Sequence, residues 1–307
     1  MSAATGRRRG RGPALKTLAL TSAIEWILEE IQPATVRAVC YRLFVAGHIA
    51  NMSKGETDKV SRALVAAREA GRVPWAWVVD ENRAAERVNM WDNPEQLLRA
   101  AVRQYRRDYW HDQPRVIEVW SEKGTVRGTL APVLDEYGIT LRVLHGFSSA
   151  TLLHDAAQEQ ASSAKPTTIL YVGDRDPSGM SMSQRDIPGR LARYGGTAEL
   201  IRLAISREQI AEHGLPGFPV GTKSGDPRHD WFVEHYGNTC WELDALPPPV
   251  LREVVEGAIL CLLDRDQWER ARMVEAAEIE SMKGFFDGWM AQWEQIQAGT
   301  EILGATP

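Results

Sequence analysis

The stretch Thr168-Ile169-Leu170-Tyr171-Val172-Gly173-Asp174-Arg175-Asp176-Pro177-Ser178-Gly179 decides how the chain is read. Its first five residues are almost wholly apolar, as a strand covered on both faces of a sheet must be. The remainder, with glycine, proline and two aspartates, reads as a tight turn. Three further strand-like runs lie at 116–120, 139–144 and 198–203, with helical stretches between them. Strand alternating with helix is the pattern of a parallel α/β sheet. Such sheets carry their working residues just past the carboxyl ends of the strands. Two of those ends are acidic: Ser121-Glu122-Lys123-Gly124 after the first run, and Asp174-Arg175-Asp176 after the third.

Three carboxylates brought to one sheet edge repel each other strongly unless a cation lies between them. Hard oxygen donors suit Mg²⁺, with Mn²⁺ as its usual substitute, so Glu122, Asp174 and Asp176 are candidate metal ligands. A cation held in this way serves phosphate chemistry, activating a nucleophile and neutralising charge in the transition state. Gly173 and Gly179 let backbone and phosphate come close, and Pro177 stiffens the turn. A lone Asp-x-Asp would more simply cap the next helix. The added Glu at a second strand end favours metal.

The 307 residues suffice for about two domains, at the usual ~100–200 residues each. No apolar run nears the ~18 residues of a bilayer span and no leader pattern opens the chain, so a soluble cytoplasmic protein is expected. Cys40, Cys240 and Cys261 lie far apart without CxxC or Cys/His spacing, which argues against a disulfide framework and a structural zinc site. The net charge of −5 is unevenly spread. Residues 1–110 hold 18 Lys/Arg against 12 Asp/Glu, residues 111–240 hold 13 against 16, and residues 241–307 hold 5 against 13. A basic front that can meet nucleic acid therefore precedes an acidic tail.

Arg7, Arg8, Arg9, Arg11 and Lys16 stand without any acid among glycines and a proline, so residues 1–16 read as a disordered basic arm able to track phosphates. Ile24, Ile27, Leu28 and Ile31 then recur at helical spacing until Pro33. A second helix starts at Thr35, where Val36, Val39, Cys40, Leu43 and Phe44 form an apolar stripe and leave Arg37 and Tyr41 on its flank. In a third, near 57–70, Val60, Leu64 and Ala67 face inward and Lys59, Arg62 and Arg68 lie off the stripe. The strand-like run 72–80 follows, so the front reads as a winged helix-turn-helix whose third helix suits the major groove. The expected domains are 1–16, the arm; 17–111, a winged helix with a connecting helix; 112–245, the α/β domain; and 246–307, an acidic helical extension.

Glu122-Lys123 after one strand and Gly173-Asp174-Arg175-Asp176-Pro177-Ser178-Gly179 after a later one resemble the Toprim domain shared by topoisomerases, primases and some nucleases. Thr35-Val36-Arg37-Ala38-Val39-Cys40-Tyr41 resembles the Ser/Thr-x-Arg-x-x-Tyr-Tyr segment in the DNA-cleaving subunit of topoisomerase VI, with Cys40 in place of the first tyrosine. Glu242-Leu243-Asp244-Ala245-Leu246 is similar to the Glu-Leu-Glu-Ala-Leu stretch of the same topoisomerase VI subunit, so the resemblance covers about residues 35–246. It implies Mg²⁺-dependent cleavage of double-stranded DNA by tyrosine transesterification. It also implies a homodimer in which Tyr41 of one protomer meets the metal site of its partner. No GxxxxGK[ST] loop is present, so any ATPase would be a separate subunit. Tyr41 would then be the nucleophile, Arg37 its cationic helper, and Glu122 both catalytic residue and metal ligand, with Arg42, Lys59, Arg62, Arg68, Lys123 and Lys223 on DNA. Such an enzyme would be nucleoid-associated.

Two alternatives keep the same domains. In one, a Toprim nuclease of plasmid- or phage-defence type cuts DNA with metal-activated water and Tyr41 is structural. In the other, a winged-helix protein binds DNA without catalysis and the acidic cluster only lends stability.

Overall fold

The computed structural model describes residues 15–79, 90–144, 150–223 and 225–304. The basic arm, apart from its last two residues, lies outside them. The chain forms two compact units, one from residues before 83 together with 117–258, the other from 83–116 together with 259–307.

The first unit opens with α1 (Leu15–Ile31), β1 (Ala34–Thr35), α2 (Val36–Val45), α3 (Lys54–Glu69) and β2 (Val78–Val79). Ile24, Ile27, Leu28, Val39, Leu43, Val60 and Leu64 interlock as one buried core, which is the apolar periodicity of the three helices made physical. Thr35 caps α2, its hydroxyl oxygen accepting from the Ala38 amide at 2.9 Å, a bond worth about 1 kcal/mol to the helix. The strand expected over 72–80 is shorter than its apolar run suggests. Residues Trp75–Trp77 form a 3₁₀ turn, and only β2 pairs, in parallel with β1. Pro74 lacks an amide for a ladder, and Arg68 draws the segment onto α3, donating to the Trp75 carbonyl at 3.2 Å with its guanidinium 4.1 Å from the indole. Asp80, the last residue of that run, is outside the described residues.

After α4 (Pro94–Gln104), which belongs to the second unit, come β3 (Val116–Ser121), α5 (Val126–Tyr137), β4 (Thr140–Val143), α6 (Ala150–Ser162), β5 (Thr167–Val172), α7 (Pro177–Ser181), a π turn (Met182–Asp186), α8 (Ile187–Arg193) and β6 (Glu199–Ala204). The four strands form a parallel sheet in the order β4-β3-β5-β6. All four strand-like runs of the sequence are therefore strands of one sheet. The chain leaves β3 for β4 on one side, then returns past β3 to β5 and continues to β6 on the other. In parallel sheets such a reversal is where a crevice is expected, here beyond the carboxyl ends of β3 and β5.

The helical front and the sheet are packed as one body. A Cβ added to Gly128 on α5 would lie 2.2 Å from Val79 Cγ1, and Arg252 donates to the carbonyls of Gln32 and Thr129 at 3.1 and 3.4 Å. Gly128→Ala should therefore cost about 1–3 kcal/mol through overpacking. A lower urea midpoint with unchanged m is the expected readout, and an unchanged midpoint would show that α5 and β2 do not meet so closely.

The first unit continues with α9 (Arg207–Glu212), β7 (Phe218–Pro219), α10 (His229–Tyr236), β8 (Thr239–Cys240), a 3₁₀ turn at Leu243–Ala245 and most of α11 (Pro248–Leu262), while the end of α11 and all of α12 (Arg265–Gly304) belong to the second. Strands β7 and β8 pair antiparallel. In the second unit α4 packs on α12. The Tyr109 ring meets Trp268 edge-on at 4.5 Å, and the buried Glu275 accepts from Tyr109 Oη at 2.6 Å and the Arg107 amide at 2.7 Å. Glu278 accepts from Tyr105 Oη at 2.7 Å and pairs with Arg107 at 2.6 Å. Part of the acidic tail thus answers the basic side of residues 99–107. No described helix is long and apolar enough to cross a membrane.

Candidate functional site

Glu122 follows β3 directly and Asp174 and Asp176 follow β5, so neighbouring strands deliver the three carboxylates to the crevice edge. Beneath them lies Tyr171, fully buried. Burial pushes its hydroxyl well above the usual tyrosine range, Glu122 adds to that, Arg202 opposes it, and Asp174 and Asp176 add further. All three acids therefore act on one phenol.

Asp176 N-caps α7, its Oδ1 accepting from the Gly179 amide at 2.7 Å. The capping role that a lone Asp-x-Asp would serve is thus real, and it leaves the side chain held in place at the crevice. Gly179 is required by space, because a Cβ there would stand 2.3 Å from the Asp174 carbonyl oxygen. Asp174 is 7% exposed and its Oδ1 accepts from the Leu243 amide at 2.7 Å. Burial raises its pKa, while Lys123 and the Leu243 amide oppose that rise.

Lys123, expected on phosphate, turns inward. Its Nζ lies 2.9 Å from Asp174 Oδ1 and 2.9 Å from Asp244 Oδ2. Burial works against its charge, but the two aspartates outweigh burial and hold the ammonium above the usual lysine range. Asp244 also accepts from the Thr35 hydroxyl at 3.0 Å, and the neighbouring Glu242 takes a two-pronged bond from the Arg37 guanidinium. The turn carrying Glu242 and Asp244 therefore clamps α2 against the sheet edge.

Tyr41 sits under this clamp, 5% exposed. Burial first and Glu242 second push its hydroxyl up to about 12, against the pull of Arg37 and Lys123. Arg37 and Tyr41 do lie together, the guanidinium 5.8 Å from the ring centroid, yet the Arg37 fork is engaged by Glu242. At neutral pH the phenol stays protonated.

Of the expected DNA contacts, Lys59, Arg62 and Arg68 are on α3. Lys59 pairs with Glu56, and Arg62 donates to the Asp58 carbonyl at 3.2 Å. Arg42 lies in the last turn of α2, half-buried. Lys223 closes a 3₁₀ turn, and its side chain is outside the described part.

Arg202 on β6 escaped the reading of the sequence. Its Nη2 donates to the carbonyls of Gly173 and Asp174 at 2.8 and 2.6 Å, and its Nη1 to the Gly179 carbonyl and the Ser183 hydroxyl at 3.2 and 2.8 Å. One guanidinium thus binds both ends of the loop that carries two of the acids. An arginine inside the run Leu200-Ile201-Arg202-Leu203 was the available signal.

Hard carboxylate donors on adjacent strand ends fit a divalent cation of the Mg²⁺ class. Among the described residues no group of three or more His, Cys, Asp or Glu is arranged as it stands to hold a metal ion, and Lys123 supplies the positive charge between Asp174 and Asp244. The chain matches no protein-family model and no curated protein.

Proposed function

We propose that this protein is a metal-dependent DNA-cleaving enzyme in which a winged-helix-type module, α1 to α3, serves a Toprim-type α/β domain. The observation that carries the reading is the arrival of Glu122, Asp174 and Asp176 at the crevice where the strand order reverses. Glu122, Asp174 and Asp176 would hold Mg²⁺ or Mn²⁺, which when bound supplies charge neutralisation at the phosphate and an acidified water. The Leu243 amide and the Asp176 cap keep the aspartates aimed, and Arg202 keeps their loop closed. Lys59, Arg62 and Arg68 on α3 meet the DNA backbone in this reading, so binding should weaken steeply with salt.

Hydrolysis is the chemistry that the surroundings of Tyr41 support best. A phenol 5% exposed and pushed up to about 12, by burial first and the charge of Glu242 second, is a poor nucleophile. Tyrosine transesterification is the second reading, favoured by the cations Arg37 and Lys123 near the ring. It would need a homodimer, and strand passage would need a separate ATPase subunit.

The two chemistries differ in their products. Supercoiled plasmid is incubated with Mg²⁺ and protein, stopped with denaturant, and assayed for protein-linked DNA ends with wild type and Tyr41→Phe. Hydrolysis predicts free ends and cutting within about threefold of wild type in the variant. Protein-linked ends that vanish in Tyr41→Phe would establish transesterification instead.

A further inference from the structure

The carboxylate edge and α2 are joined by one unbroken set of polar contacts. The Thr35 hydroxyl at the head of α2 donates to Asp244 Oδ1 at 3.0 Å, Asp244 Oδ2 meets Lys123 Nζ at 2.9 Å, and Lys123 meets Asp174 Oδ1 at 2.9 Å. The Leu243 amide donates to the same Asp174 oxygen at 2.7 Å, so the turn and the candidate ligand are bonded twice over. Both aspartates are largely enclosed, where charge interactions are weakly screened. Moving either acid or the ammonium therefore disturbs the others.

We propose that Lys123 is a built-in counter-ion that competes with a divalent cation for Asp174 and, through Asp244 and Thr35, couples cation binding to the seating of α2. The inference rests on the metal-site reading above and adds a regulation to it. A divalent charge at Asp174 repels the ammonium and removes its reason to stand between the two aspartates. Once Lys123 withdraws, Asp244 loses a cation and its turn loses part of its hold on α2. The Arg37–Glu242 pair and the Thr35 hydroxyl bond then carry the clamp without the ammonium that fixes Asp244. Linkage makes the effect reciprocal: whatever loosens α2 tightens cation binding by the same factor. α2 bears Tyr41 and precedes α3, so cation loading would free the helical module to adjust to DNA.

Mn²⁺ binding to the intact chain, followed by the electron paramagnetic resonance of free Mn²⁺, tests the competition without any turnover. Lys123→Met should bind Mn²⁺ about tenfold more tightly than wild type, in the range of coupling between linked sites. Binding seen only in the variant would also support the competition. Equal or weaker binding by the variant, with wild type binding, overturns the proposal and leaves the metal site standing. Absence of binding in both proteins, unaltered by Glu122→Gln, overturns the metal-site reading together with the proposal. Because Lys123→Met leaves Asp174 and Asp244 without their shared cation and risks misfolding, a second measurement uses wild type alone. Saturating Mn²⁺ should speed hydrogen exchange of the α2 amides, Val36–Val45, several-fold while those of β5 are unchanged or slowed. Exchange in α2 that does not respond to bound Mn²⁺ overturns the coupling.

Discussion

Glu122→Gln is expected to lower Mg²⁺-dependent DNA cleavage by about 10³-fold or more in a protein that still folds. The substitution preserves the shape of the side chain and removes its charge. A metal acting as a Lewis acid contributes several kcal/mol, and each 1.36 kcal/mol is about tenfold in rate, so on the proposed reading the loss of one of three anionic ligands reaches that scale. Stability should hold or rise slightly, because Glu122 Oε2 is buried and a neutral amide is desolvated at less cost than a carboxylate. Cleavage rate and melting temperature are measured on the same preparation. A folded variant that cuts like wild type would place the chemistry elsewhere in the chain.

The second large effect concerns Arg202, whose replacement by Met should destabilise the protein by roughly 3 kcal/mol or more and abolish cleavage with it. The guanidinium donates to three backbone carbonyls and to the Ser183 hydroxyl. Hydrogen bonds to charged groups contribute roughly 1.5–3 kcal/mol each, and although the Gly173 and Gly179 carbonyls keep the Ile205 amide and the Ser183 hydroxyl, the Asp174 carbonyl loses its guanidinium donor. Methionine fills comparable space over the Tyr171 ring, so lost packing is a smaller part of the effect. Burial holds the Arg202 pKa below its usual value, which says that its charge is tolerated for what it binds. Arg202→Lys should recover only part of the stability, since an ammonium cannot reach both ends of the loop as a fork does. A urea midpoint unchanged in Arg202→Met would remove this residue from the account.

The parallel sheet was legible in advance because each of its strands is an apolar run bounded by turn residues, and period and composition are local properties. The same locality explains where the carboxylates were placed: Glu122, Asp174 and Asp176 follow their strands immediately. Residues 72–80 misled because their apolar content reads as strand, while Pro74 and the Arg68–Trp75 contact decide otherwise. Lys123 misled for a different reason. A lysine beside an acidic edge suits phosphate equally well, and its inward turn depends on Asp244, a residue far along the chain. Thr35 and Asp244 are 209 positions apart, and Tyr105 and Glu278 are 173 apart. Neither pairing has any period or spacing to betray it. The clamp over Tyr41 is of this long-range kind, which is why a tyrosine on the flank of a stripe lies 5% exposed. The grouping of α4 with α12 likewise depends on contacts between distant segments.

Conversion of supercoiled plasmid by the wild-type protein, followed as Mg²⁺ is raised from zero in the presence and absence of chelator, tests the central claim most directly. The account predicts nicked and linear DNA that appear with saturable dependence on Mg²⁺, disappear with chelator, and are absent with Glu122→Gln at every Mg²⁺ concentration. Plasmid that stays supercoiled at saturating Mg²⁺ or Mn²⁺, or cutting that proceeds equally with Glu122→Gln, would contradict it.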